Sequence, residues 1–404
     1  MHLTHLSLTD YRAFTRLDMD VPRRVLVLVG ANAQGKTSVL EAIYYLATFS
    51  SFHTHTDRQL IHFLACERTP AVGRIVGQFQ RADRLHRLEV RLILENGGGG
   101  GRFRREILLD GVKRSATDVL GTFTAVIFLP QMTRIVEGEP EERRRYLNLA
   151  LSQAVPGYAL ALNEYEKALA QRNALLRQLS ERGGDAEQLR TWDELLAERG
   201  ALIIQARIAA VQELERLAAR LHHRLTHSQE VLRVAYQPAY DPLPQPEGQY
   251  ALPLQTNVQR GSFSREEIQR GFLKRLEALH GEEIARGVTT CGPHRDELRF
   301  FSNGVDLGDF GSRGQVRTAL MSLKLAELGW LKERTGHWPV LLLDEILAEL
   351  DLQRRADLLE TLGECEQAVL TTTDLNLFQG DFVKHTTLWQ VVNGRVEIPE
   401  KRSG

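Results

Sequence analysis

Residues Gly30-Ala31-Asn32-Ala33-Gln34-Gly35-Lys36-Thr37 keep the spacing G-x-x-x-x-G-K-T, and no other stretch restricts the possible folds of this chain as much. Five apolar residues, Val25 to Val29, precede it, and Ser38-Val39-Leu40-Glu41-Ala42-Ile43 follows. The order is a buried strand, a glycine-rich turn and a helix start, which is the context a P-loop requires. Two glycines let the backbone curl so that several N–H groups face one concavity. At a helix N-terminus that nest suits the phosphates of a nucleotide. In this reading Lys36 reaches the β- and γ-phosphates and the Thr37 hydroxyl helps to hold Mg2+. All eight residues form the expected ATP-binding set, and Arg12, in the turn after the first strand, is counted with them.

A second apolar run, Val340-Leu341-Leu342-Leu343, ends in Asp344-Glu345. A buried strand that delivers two acids beside a P-loop has the Walker B form. Asp344 is expected in the Mg2+ shell, while Glu345 orients or deprotonates the attacking water; Glu345 and Lys36 are the catalytic candidates. About 30 residues earlier, Ser312-Arg313-Gly314-Gln315 opens a helical stretch over 317–331. Ser-x-Gly-Gln at a helix start matches the signature of the ABC-type ATPases, where a hydroxyl and a close-approach glycine meet the nucleotide on a second protomer. Ser312, Gly314 and Gln315 are therefore expected to act in trans, making ATP the glue of a head-to-tail homodimer. Gln131, just after the apolar run Ala125-Val126-Ile127-Phe128-Leu129, takes the Q-loop place as a third Mg2+ contact beside Thr37 and Asp344. Asp351, in Glu349-Leu350-Asp351, takes the D-loop place at the dimer seam.

Between these motifs the periodicity changes. Leu6 and Leu8, then Leu17, Met19 and Val21, alternate with polar residues as half-buried strands do, and residues 72–113 continue in short alternating runs. Glycines 97–101 read as a floppy hairpin loop. Arg102, Arg104, Arg105, Lys113 and Arg114 gather around the hairpins, either as a phosphate-contacting DNA edge or as charge that protects an edge strand. His53 and His55 are two apart in a polar loop and have no third ligand, so they read as solvent-facing. From Pro140 the pattern is helical. Leu162, Tyr165, Leu169, Leu176 and Leu179 keep heptad spacing that Arg172 interrupts, and a second long helix runs from Trp192 to Leu225. Together they predict an antiparallel helical hairpin of ~60 Å at 1.5 Å per residue. Asp185 with Gln188 reads as a helix cap, and 236–253 reads as a loop. Short strands return over 288–307.

The expected fold is thus α/β, an ABC-type P-loop ATPase head with a mixed sheet and helices, interrupted by a helical lobe that contains the hairpin. Residues 1–132 and 288–404 form the head and 133–287 the insertion. With a net charge of −1 over 404 residues there is no global basic field, so nucleic acid has to meet a local patch. Cys66, Cys291 and Cys365 lie far apart and suit neither a disulfide framework nor a zinc site. No apolar run approaches the ~18 residues of a membrane span, and the N-terminus lacks a basic-then-apolar signal, which points to the cytoplasm.

The residues go beyond a general ABC ATPase. The P-loop with Leu40-Glu41-Ala42-Ile43, then Ser51-Phe52-His53-Thr54, Gly138-Glu139-Pro140 with Arg143-Arg144, Gln171-Arg172-Asn173 and Trp192-Asp193 resemble the bacterial RecF family. So do Thr289-Thr290-Cys291-Gly292-Pro293-His294-Arg295-Asp296, Ser312-Arg313-Gly314-Gln315 with Arg317-Thr318, and Thr371-Thr372-Thr373, in the same order along nearly the whole chain. That family resembles the heads of SMC and Rad50 proteins without their long coiled coil. The resemblance implies an ATP-dependent DNA-binding protein of recombinational repair and replication restart, with slow, DNA-stimulated ATP hydrolysis. It implies action on double- and single-stranded DNA and gapped junctions, work with RecR and RecO to place RecA at single-strand gaps, and support of the SOS response. Three positions depart from the family pattern: His53 stands for an arginine, Ala348 for a D-loop serine, and Glu345 for a second aspartate. There is no switch histidine after the last strand, which leaves Thr372 or Thr373. Cys291 and His294, spaced C-x-x-H, read as a structural turn. Two alternatives stand beside this reading. A transporter ATPase subunit needs a shorter lobe than the 276 positions that separate Lys36 from Ser312. A structural SMC- or Rad50-like chromosome tether needs hundreds of heptad residues.

Overall fold

The computed structural model of the chain describes residues 1–54, 56–95, 101–243, 260–378, 382 and 386–397. The expectations for His55, for glycines 97–100 and for 244–253 lie outside the described residues. Two units emerge: Met1–Met132 with Lys324–Gly404, and Thr133–Leu323. In chain order the first contains β1 (His2–Tyr11), β2 (Phe14–Asp20), β3 (Val25–Val29), α1 (Lys36–Thr48), β4 (Ala71–Arg81), β5 (Arg84–Glu95), β6 (Arg102–Leu109), β7 (Val112–Arg114), α2 (Ala116–Val119) and β8 (Ala125–Phe128). The second contains α3 (Arg134–Glu137), α4 (Pro140–Ala154), α5 (Tyr158–Arg182), α6 (Arg190–Leu225), β9 (Leu232–Gln237), α7 (Arg265–Ala278), α8 (His280–Arg286), β10 (Glu297–Ser302), β11 (Val305–Asp306) and α9 (Leu307–Phe310). Helix α10 (Arg313–Thr335) carries the chain back across the boundary to β12 (Val340–Asp344), α11 (Leu352–Glu364), β13 (Ala368–Thr372), β14 (Thr387–Val392) and β15 (Arg395–Glu397).

The first unit is built on two six-stranded sheets. One is antiparallel, in the order β2-β1-β4-β5-β6-β7; the other is β15-β14-β3-β13-β12-β8, parallel except for the β15 edge. Their sequences differ accordingly. In β1 and β2, Leu6, Leu8, Leu17 and Met19 are buried while Asp18 and Asp20 are exposed, the alternation of a sheet with one wet face. In β3, β8 and β12 both faces are covered, so apolar residues run without a break. Helix α1 places Val39, Leu40, Ile43 and Leu46 in one core with Leu26 and Leu28 of β3 and Ile75 and Leu92 of the antiparallel sheet. The parallel sheet puts the ends of β3, β12 and β13 side by side, in register Thr371 with Leu28 and with Asp344. In parallel α/β sheets such carboxyl ends are where ligands bind.

In the second unit α5 and α6 form the expected hairpin, with α6 about 54 Å long at 1.5 Å per residue. The buried face of α5 is Ala161, Tyr165, Ala168, Arg172, Leu176 and Leu179, so the arginine that breaks the heptad takes a core position. Arg172 is fully buried and paired: Nε donates to Asp193 Oδ1 at 2.6 Å, and Nη1 to Glu283 Oε2 at 2.5 Å and to Thr289 Oγ1 at 2.9 Å. Two expectations about boundaries are revised. Asp185 accepts from Glu187 N and closes a short 3-10 turn rather than capping α6. The strands after 288 do not rejoin the head sheet. Leu232, Val234 and Tyr236 alternate inward in β9, and β10 pairs with that strand from Glu297–Gln237 to Ser302–Leu232, making a separate sheet β11-β10-β9. Residues 288–323 therefore belong with the helical unit, and Tyr236 and Gln237 are strand rather than loop.

Candidate nucleotide site

Local backbone geometry makes the P-loop. Gly35 sits at φ 105, a region closed to most side chains. A Cβ on Gly30 would stand 2.4 Å from the carbonyl oxygen of Val391, so only glycine fits against β14. Gln34 is pinned from the other side: its Oε1 accepts from Asn393 N at 2.5 Å, in the Asn393-Gly394 hairpin turn whose φ values are 48 and 69. Lys36, at the start of α1, is buried. Its Nζ donates to the carbonyls of Gly30 at 2.6 Å and Ala31 at 3.0 Å, and stands 3.1 Å from Glu345 Oε1 as an ion pair without hydrogen-bond alignment. The ammonium is thus held inside the loop by two backbone carbonyls and by the general-base candidate.

Thr37 and the Walker B strand converge. Thr37 Oγ1 lies 3.0 Å from both carboxylate oxygens of Asp344, which is itself buried at the end of β12. A hydroxyl and a carboxylate in contact are the oxygen donors that a hard divalent cation accepts. Gln131 follows β8, whose Phe128 is in register with Leu343, and it is exposed in the turn Pro130–Thr133 near the end of the same strands. Glu345 adopts φ 54 and ψ 13. Asp351 is exposed and caps α11, accepting from Arg354 N at 3.0 Å.

Arg12 is committed within the unit. At φ 49, its guanidinium grips Glu41 of α1 through Nε and Nη2, both at 2.7 Å, and Ser51 Oγ donates to the same carboxylate at 2.5 Å. Ser51 in turn accepts from the backbone of His53 and Thr54. This chain of contacts ties the β1–β2 turn and the 51–54 segment to α1; the pairing of Arg12 with Glu41 is a contact that the sequence reading did not foresee.

The signature lies in the second unit. Ser312 Oγ accepts from Gln315 N at 3.2 Å while Gln315 Oε1 accepts from Ser312 N at 3.1 Å, a capping box that starts α10. Ser312, Arg313 and Gly314 are exposed there. Among the basic hairpin residues, strand alternation divides the expected cluster. Arg102, Arg104 and Lys113 share one face, where Glu106 accepts from Arg104 and Lys113, whereas Arg105 and Arg114 point to the other. Arg105 is held inside the unit by Phe49 O at 2.9 Å and Asp57 Oδ2 at 3.1 Å. The Thr289 to Asp296 run is an interior hub. Asp296 accepts from Arg207, Tyr236 and the Ala239 backbone, and burial lowers the pKa of His294 to about 4. Cys291 is buried with Sγ donating to Ala239 O, which agrees with a structural turn. Among the described residues no group of three or more candidate metal ligands occurs, and no helix is long and apolar enough to cross a membrane.

The profile of the RecF/RecN/SMC N terminal domain matches residues 2–393. A DNA replication and repair protein RecF from Chloroflexus aurantiacus is 38% identical over 408 residues, spanning 98% of this chain and 99% of that protein. A solved structure described as the recombination mediator protein RecF-ATPrS in RecFOR pathway superposes with a TM-score of 0.83 at 27% identity, covering 99% of this chain and 98% of the other. An Smc head bound to the C-winged helix domain of ScpA shares the fold, with a TM-score of 0.52 at 12% identity over 98% of this chain and 96% of the other. The chain belongs to the RecF family of DNA replication and repair proteins, within the ATPases of the RecF/RecN/SMC group.

Proposed function

We propose that this chain is an ATP switch that pairs on DNA during recombinational repair and replication restart. One observation carries the reading: Lys36, Thr37, Asp344 and Glu345 meet in one unit, while the helix start with exposed Ser312 and Gly314 and partly buried Gln315 belongs to the other. The first unit serves as the ATPase head and the second as the inserted lobe. ATP binds in the nest of residues 30–37, with Mg2+ held by Thr37 and Asp344 and with Gln131 at its edge; the cation neutralises phosphate charge when bound. Lys36 leaves its carbonyl partners for the phosphates, and Glu345, released from Lys36, orients the attacking water. Ser312 and Gly314 of a second copy complete the site in trans, with Asp351 at the seam, so ATP stabilises a homodimer and hydrolysis releases it.

On this reading turnover is slow and rises with DNA. Arg102, Arg104 and Lys113 supply DNA phosphate contacts from one face of the antiparallel sheet. The dimer acts in the cytoplasm at gapped junctions with RecR and RecO, so that RecA is loaded and the SOS response follows. The match to RecF proteins and the RecFOR description of the structural relative support these assignments. The deciding experiment measures binding to gapped, duplex and single-stranded DNA, with and without ATP, across a salt series. Tighter binding with ATP and a steep loss of affinity with salt are expected. Equal affinity with and without ATP contradicts the switch.

A further inference from the structure

Strand β13 ends in Thr371-Thr372 and Thr373 follows it, and the three residues have different partners. Thr372 accepts from Gly30 N through its carbonyl at 3.3 Å and closes a turn with Asp374 through its hydroxyl. Thr373 is exposed, its hydroxyl 3.5 Å from Glu345 Oε2. Thr371 is 3% exposed, and its one hydroxyl works in both directions. It donates to Asp344 Oδ1 at 2.7 Å and accepts from the backbone N–H of Glu345 at 3.0 Å.

Both acids of the Walker B end are thereby set by one side chain. Asp344 Oδ1 is also one of the oxygens that Thr37 contacts, so Thr371 occupies one side of that oxygen and turns the carboxylate toward the P-loop. Glu345 is in a left-handed conformation that is unfavourable for a residue with a Cβ and persists only where the surroundings hold it. The Thr371 hydroxyl is a hydrogen-bond acceptor for that backbone. It stands on β13, between the P-loop strand β3 and the Walker B strand β12, where an apolar β-branched residue would pack in the same way but hold neither acid.

We propose that Thr371 is a positioning residue for ATP hydrolysis, aiming Asp344 at the metal site and fixing the Glu345 backbone so that its carboxylate faces the nucleotide. The proposal rests on the ATPase reading above. Its test uses the full chain with Thr371→Val and Thr371→Ser. A fluorescent ATP analogue is titrated in EDTA and then with Mg2+, and turnover is measured in parallel. Thr371→Val is expected to bind the analogue in EDTA like the parent but to need ~10- to 100-fold more Mg2+ for the metal-dependent response. Its kcat is expected to fall by ~10- to 100-fold while KM changes by less than ~3-fold, and Thr371→Ser should recover both. A Thr371→Val protein with parental Mg2+ requirement and kcat overturns the proposal. So does a Thr371→Ser protein as impaired as Thr371→Val, or loss of nucleotide binding in EDTA, since either assigns the effect to packing. A parent chain that neither binds nor hydrolyses ATP overturns the ATPase reading itself.

Discussion

At the scale of single residues, the P-loop lysine and the Walker B glutamate restrain each other. Lys36 is held by two carbonyls and by Glu345 at 3.1 Å, so under the proposed function both change partners when nucleotide enters. Lys36→Met removes the only cation in the loop and should weaken ATP binding by about 100-fold or more, as loss of charge-assisted hydrogen bonds to phosphate implies; dimerisation should go with it. Glu345→Gln should act in the opposite sense. It frees Lys36 and removes the base, so equilibrium binding of ATP is kept while turnover falls by ~10²- to 10⁴-fold, and the dimer accumulates in sedimentation runs with ATP. Parental turnover in Glu345→Gln assigns the base to another residue. The meeting of these residues was legible because it depends on spacing within eight residues and on a strand that ends in acids. The grip of Arg12 on Glu41 was not legible, since no local pattern links a turn residue to a helix 29 positions away.

Secondary-structure elements carry charge in ways that periodicity only half reveals. On the polar face of the antiparallel sheet, Glu89 of β5 accepts from Arg74 Nε and Nη2 at 2.8 and 2.9 Å, from Arg91 Nε at 2.7 Å and from Arg87 Nη2 at 3.2 Å. The hydrogen bonds of Arg74 lead in lowering its pKa to about 2; burial opposes them and Arg91 adds to them. A carboxylate depressed in this way stabilises the fold above its unfolded pKa, about 4.5, and the contribution fades as the pH falls toward about 2. Glu89→Gln should therefore destabilise the first unit by about 1–2 kcal/mol at neutral pH, a figure discounted because the arginines are partly exposed. In urea titrations the gap from the parent should narrow steadily below about pH 4.5. A gap that is independent of pH assigns the loss to packing. In α5 the heptad marked position 172 as a defect, yet the structure makes it the centre of a buried ionic cluster with Asp193 and Glu283. Arg172→Leu takes the arginine from two buried carboxylates, leaving Asp193 with His280 and Glu283 with Thr290, and should cost the second unit about 3–5 kcal/mol, read as loss of hydrogen-exchange protection in α5 and α6. Protection equal to that of the parent contradicts the cluster's structural role.

For the whole molecule, the division into units decides what kind of machine the motifs describe. The P-loop, Walker B strand and β13 are contiguous in one parallel sheet, which local sequence could show because continuous apolar runs mark strands buried on both faces. The end of the insertion was hidden for the opposite reason. Strand β10 pairs with β9 some 60 residues earlier, and partner choice between two short alternating strands leaves no trace in either one. The most recognisable run, Thr289 to Asp296, is tied to α5 through Arg172, to α6 through Arg207 and to β9 through Tyr236. With 288–323 in the helical unit, the signature helix start is anchored within it: Gln315 Nε2 lies 3.5 Å from Glu230, which also accepts from Ser302 at 2.7 Å and contacts His222 at 3.2 Å. A signature so mounted has its exposed hydroxyl and glycine available to a second copy. Ser312→Arg places a long cation at that helix start while leaving residues 30–37 and 344–345 untouched. It should bind ATP within ~3-fold of the parent yet remain monomeric at concentrations where the parent pairs, because in the proposed function the signature acts only in the assembled dimer. Sedimentation velocity with ATP and Glu345→Gln as the background separates the outcomes, since hydrolysis then cannot empty the site. A Ser312→Arg, Glu345→Gln protein that pairs normally would falsify action in trans and would leave ATP binding as a property of the head alone.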